Sequence, residues 1–80
     1  MRKVYVKVNA DHFTNGMVLP RSFQWEDGTS YEIDRVIDRC RAASTKVGGV
    51  GWRYKVRIYG KEKFMWLEDG GRWFMEGILP

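Results

Sequence analysis

From Gly49 to Lys61 the chain alternates so that Val50, Trp52, Tyr54, Val56 and Ile58 fall on one side and Arg53, Lys55 and Arg57 on the other. Period-two alternation of this kind belongs to a β-strand with one buried and one solvated face. It also sets the register, because a slip of one residue would carry three cations into a core. A chain containing this segment must build a sheet that covers the apolar side and leaves a cationic face outside.

The chain has 80 residues, enough for a single domain spanning 1–80. At that size only roughly 60% of the unfolded surface can be buried, so the core must come from a few large side chains. Four Trp, four Tyr and four Phe supply them, each ring removing about 150–250 Å² from water when buried. An apolar fraction of 44% with 30% charged residues excludes a disordered chain. No apolar run approaches the ~18 residues of a membrane span, and Met1-Arg2-Lys3-Val4-Tyr5 does not resemble a signal segment, so no membrane is expected and the expected location is cytoplasmic. Cys40 is the only cysteine; it can form no internal disulfide and is expected as a small buried hydrophobe.

Net charge is +4, unevenly spread: −1 over residues 1–38, +7 over 39–63 and −2 over 64–80. Whether the central excess becomes a patch depends on how the strands interleave.

Val4, Val6 and Val8 alternate with Lys3, Tyr5 and Lys7, which predicts a first strand of about five residues. Asn15-Gly16 is a turn signal, and Met17-Val18-Leu19 runs extended into Pro20, which suits a sheet edge or bend. Phe23-Gln24-Trp25-Glu26-Asp27-Gly28 is echoed by Phe64-Met65-Trp66-Leu67-Glu68-Asp69-Gly70, and each is followed by an aromatic, Tyr31 or Trp73. Two hairpins with the same turn chemistry explain the echo. Ser30–Ala43 admits two readings. Ile33, Val36, Ile37 and Cys40 have helical spacing behind a capping-box-like Thr29–Glu32, whereas Tyr31 and Ile33 pair naturally with Trp25 and Phe23 across the Asp27-Gly28 turn, with one bulge near Asp34-Arg35 restoring alternation. Ser44–Gly51 reads as a loop. Gly60-Lys61 and Asp69-Gly70-Gly71 then join Val50–Tyr59, Lys63–Glu68 and Arg72–Glu76 into an antiparallel meander. The expected fold is all-β, or α+β if Ser30–Ala43 is helical: a small, antiparallel, partly closed SH3-like barrel of five or six strands, with Trp52, Val56 and Ile58 in its core.

Phe23-x-Trp25-x-x-Gly28-x-x-Tyr31-x-Ile33-x-x-Val36-Ile37-Asp38, the run Arg53–Ile58, and Leu67-Glu68-x-x-Gly71-Arg72-Trp73-Phe74 together resemble a family of small bacterial domains of unknown function. These occur as short stand-alone proteins and, in related form, in or near Y-family translesion DNA polymerase proteins. The resemblance covers roughly residues 18–76. It implies a β-rich domain, a DNA-repair setting and no defined catalytic residue.

The chain lacks the patterns of catalysis. Its one histidine, His12, lies in a polar stretch beside Asp11, Gly48-Gly49-Val50-Gly51 precedes a strand rather than a helix, and the carboxylate pairs Glu26-Asp27 and Glu68-Asp69 fall in turns. No enzyme, cofactor or metal is expected. Two binding functions remain. One is a protein-interaction module, with a partner such as a DNA-repair polymerase docking at an apolar patch near Trp66, Trp73 or Phe74. The other is a single-stranded nucleic-acid module, in which Arg53, Lys55 and Arg57 meet phosphates with help from Lys46, Lys61 and Lys63, and Tyr59 on the same face stacks a base.

Overall fold

The computed structural model describes residues 2–44 and 49–77. It holds seven strands and, among the described residues, no helix: β1 Lys3–His12, β2 Val18–Gln24, β3 Ser30–Glu32, β4 Arg35–Ser44, β5 Gly49–Ile58, β6 Lys61–Glu68 and β7 Trp73–Glu76. All neighbours are antiparallel, in the order β3-β2-β1-β7-β6-β5-β4. The fold is thus all-β and barrel-like, with seven strands where five or six were expected.

Two long, bent stretches curl the sheet. β1 has twice its expected length, because Lys3–Val6 pairs with β7 and Lys7–His12 then pairs with β2, with a register shift at Asn9/Ala10. The stretch from Ser30 to Ser44 behaves likewise: β3 pairs with β2 and β4 with β5. Between them the Ile33 N–H donates to Arg21 O and the Asp34 N–H to Arg57 O, both at 2.8–2.9 Å. The two edge strands are therefore consecutive in the chain, and their junction partly closes the barrel. This resolves the Ser30–Ala43 ambiguity in favour of extended chain. The β4–β5 ladder satisfies the backbone, and Tyr31 stacks on Phe23 at 5.4 Å.

The register shift in β4 lies between Val36 and Asp38 rather than near Asp34-Arg35. The extra residue, Ile37, inverts the alternation that follows it. Asp38 and Cys40 then pair with Lys55 and Arg53, while Arg39 and Arg41 pair with Tyr54 and Trp52. Cys40 is consequently half-buried beside Arg53 instead of lying in the core.

Three hairpin turns share one geometry. In each, the first residue's N–H donates to a carbonyl four residues on, and a glycine N–H donates back: Phe13–Gly16–Met17, Trp25–Gly28–Thr29 and Glu68–Gly71–Arg72. Gly28 and Gly71 have φ of 88° and 93°, conformations disfavoured for residues with a Cβ. Both echoed segments thus close turns of one geometry, but offset from the echo: Trp25 corresponds to Glu68 rather than Trp66, and Gly28 to Gly71 rather than Gly70.

The concave side holds the core: Val4, Val6, Phe23, Tyr54, Val56, Ile58, Met65, Trp73 and Met75. Val56 and Ile58 are buried as expected. Trp52 is only half-buried, packed on the rim of the core, and Tyr54 takes the fully buried place on β5, its hydroxyl donating to Val18 O and its ring 5.2 Å from that of Trp73. The expected Ser44–Gly51 loop is shorter than predicted: Ser44 ends β4 and Gly49–Gly51 belong to β5, with Ser44 paired to Gly49, while residues 45–48 lie outside the described residues.

Candidate nucleic-acid interface

Directly paired residues on neighbouring strands project to the same face. One transverse row of the convex face therefore runs Tyr5, Phe74, Trp66, Arg53, Cys40, and the next places Phe64 beside Lys55 and Asp38. The Trp66 and Phe74 rings are parallel with centroids 5.8 Å apart, and Tyr5 sits edge-on to Phe74 at 6.0 Å. This is a second aromatic cluster, separate from the core and lying on the opposite side of the sheet.

Long cationic side chains cover it. Lys3 Nζ lies 4.6 Å from the Phe74 ring centre, the Arg72 guanidinium 3.6 Å from that of Tyr5, and the Arg53 guanidinium 4.8 Å from Phe64 and 5.9 Å from Trp66. Alkyl stems and guanidinium planes shield apolar surface while their charge stays in water. Phe74 is 0% and Trp66 6% exposed, whereas Tyr5 and Phe64 at the margins are 40% and 44% exposed. The buried Trp66 Nε1 has no hydrogen-bond acceptor among the described residues.

Carboxylates offset part of the charge, with Asp38 opposite Lys55 and Glu76 opposite Lys3 on this face. Glu68 accepts from Lys3 at 3.0 Å and from the Tyr5 hydroxyl at 3.3 Å, and Glu62 pairs with Lys55 at 3.2 Å. The Lys3 ammonium holds the Glu68 carboxyl below its ordinary range, with the Tyr5 hydroxyl acting in the same direction; the hydrogen bond to Glu68 in turn raises the Lys3 pKa. Lys7, Arg53, Arg57 and Arg72 have no ion-pair partner among the described residues.

The expected site is partly brought together. Arg53, Lys55 and Arg57 share the convex face as the alternation predicted, opposite Trp66, Phe64 and Glu62. Lys61 and Lys63 do not join them: they pair with Ile58 and Val56 and so belong to the other face. Tyr59 leaves the strand altogether. It has φ of 49° in the two-residue turn with Gly60, and its 73%-exposed ring meets Tyr31 edge-on at 5.7 Å. Lys46 lies outside the described residues.

The expected protein-docking aromatics are covered. Trp66 and Phe74 lie beneath the cations, and Trp73, 9% exposed, points into the core beside Tyr54. The convex-face residues that the sequence reading missed are Lys3, Tyr5, Lys7, Phe64 and Arg72. The alternation of Lys3, Tyr5 and Lys7 put those three on one side of β1, but nothing local indicated that β1 lies beside β7.

Comparison with family models, with curated proteins and with solved structures returns no match, so the site is interpreted from its own geometry.

Proposed function

We propose that the convex face of β1, β7, β6 and β5 binds single-stranded nucleic acid, and that the protein acts by binding rather than by catalysis. The observation that carries this reading is the interleaving of aromatic rings with unpaired cations on one face: Tyr5 and Phe64 exposed, with Arg53, Arg57, Arg72 and Lys7 around them. Binding exchanges one set of contacts for another. Arg72 and Arg53 leave the Tyr5 and Phe64 rings for phosphates, and bases take the vacated ring faces. An exposed cation–π contact contributes about 0.5–1 kcal/mol and a base–aromatic stack about 1–3 kcal/mol, so the exchange favours the ligand before any phosphate contact is counted. A protein partner anchored on Trp66, Trp73 and Phe74 would first have to uncover them.

The test is a titration of the isotopically labelled protein with short single-stranded DNA and RNA at two salt concentrations. Resonances of Tyr5, Arg53–Arg57, Phe64 and Arg72 should shift. The log–log salt slope should be roughly −0.7 per phosphate contacted, and replacing Arg53, Lys55 and Arg57 together by Ala should flatten it by about two units. Absence of any shift on this face at low salt, where screening is weakest, would refute the proposal.

A further inference from the structure

A different surface is the outer edge of β4. β4 ends the sheet, and among the described residues no strand pairs with its free side. Every second residue of such a strand turns its N–H and C=O outward, a ready template for an added strand. Edges are commonly protected by bulges, but the one bulge here lies at Ile37, and from Asp38 onward the pairing with β5 runs unbroken.

Charge decides what can add. After the bulge the inward-facing residues are Arg39 and Arg41, opposite Tyr54 and Trp52. A second copy of this chain, pairing edge to edge about a two-fold axis, must set residues of the same face against each other. Centred on Arg39 this puts Arg39 against Arg39, on Cys40 it puts Arg39 against Arg41, and on Arg41 it puts Arg41 against Arg41. Like charges directly opposite are destabilising in each of these three registers, the ones centred on the arginine-bearing stretch. A strand carrying carboxylates at those positions is favoured by the same rule. Arg41 already holds Asp69 through two bonds of 2.6 and 2.9 Å. Arg39 has only the Trp52 ring, 4.3 Å from its guanidinium, and no ion pair among the described residues. Beside it lies a cleft bordered by Met17 and Val18 across from Arg39 and Trp52, with room for the side chains of an added strand.

We infer that the free edge of β4 binds an extended acidic peptide by strand addition, with Arg39 as its principal charge partner. The surface is distinct from the convex face and does not depend on its function. The probe is a capped octapeptide of alternating Val and Glu, titrated into the labelled protein. Amide shifts should be confined to Asp38–Ala42, with alternate amides of that stretch becoming slower to exchange with solvent. A peptide with Lys in place of Glu should bind about tenfold more weakly or worse, and Arg39→Glu should reverse that preference. The same Val-Glu peptide with alternate backbone amides methylated should lose binding, a readout that needs no protein variant. Equal binding of the methylated peptide, shifts lying elsewhere, no shifts at all, or a dimer formed through β4 in the free protein would each overturn the inference.

Discussion

At Gly51 the backbone of β6 lies close against β5. A Cβ there would lie 2.0 Å from Leu67 O and 2.9 Å from Glu68 Cα, both backbone atoms of the partner strand. Restoring an ordinary contact of 3.4 Å means driving the strands apart by about 1.4 Å, which stretches the flanking ladder bonds beyond useful length. Overpacking of this kind costs about 1–3 kcal/mol, and two weakened hydrogen bonds add about 0.5–1.5 kcal/mol each. Gly51→Ala should therefore lose about 2–6 kcal/mol, against a total stability of about 4–12 kcal/mol for a domain of this size. Gly51 also has a positive φ of 157°, which adds a conformational penalty of its own, and two other glycines separate the mechanisms. Gly71 has open space around it but φ of 93°, so Gly71→Ala should cost only the conformational penalty of about 1–2 kcal/mol. Gly70 has neither obstacle, and Gly70→Ala should stabilise by about 0.4–1 kcal/mol by restricting the unfolded chain. Urea unfolding followed by tryptophan fluorescence should rank the midpoints Gly70→Ala, wild type, Gly71→Ala, Gly51→Ala at constant slope. A Gly51→Ala midpoint at or above that of Gly71→Ala would refute the close-approach reasoning.

Tyr54→Phe removes the hydroxyl that holds β2 to β5 and leaves the Val18 carbonyl without that donor; a loss of about 1–3 kcal/mol in urea unfolding is expected. Because the folded pKa of Glu68 is lowered by Lys3, its contribution is present above the ordinary glutamate range and is lost as pH falls through the depressed value. Urea midpoints compared at about pH 7 and about pH 3 should drop less for Glu68→Gln than for wild type. Lys3 works in the opposite sense: its pKa is raised, so its contribution persists through neutral pH and disappears only in strong alkali. On the convex face, Phe64→Ala should weaken single-strand binding by about 1–3 kcal/mol, measured by fluorescence anisotropy. Because Phe64 is 44% exposed, it should cost less in folding stability than a core truncation such as Met65→Ala, for which about 2–5 kcal/mol is expected.

What the sequence determined by itself was everything governed by nearest neighbours along the chain. Alternation in Trp52–Ile58 separated an apolar from a cationic face, and the glycine-bearing sequences after Trp25 and Glu68 located two turns of one geometry, closed by Gly28 and Gly71. The short turns then required β5, β6 and β7 to form a meander. The tertiary structure decided which strands became neighbours and where alternation changed phase. Pairing of β1 with β7 brings Lys3 and Tyr5 to Phe74, a contact between residues about 70 positions apart in sequence that no local periodicity encodes. A single extra residue at Ile37 turns Arg39 and Arg41 inward, and either phase is locally acceptable until the β5 register selects one. Tyr59 continues the alternation of Arg53, Lys55 and Arg57 on paper, yet closing a two-residue turn rotates it onto Tyr31. Trp66 and Phe74 likewise have the outward parity of exposed anchors but are covered, because cations from two different strands, Lys3 of β1 and Arg53 of β5, reach over them. Side-chain parity is a property of one strand, whereas burial depends on every chain segment that packs over it.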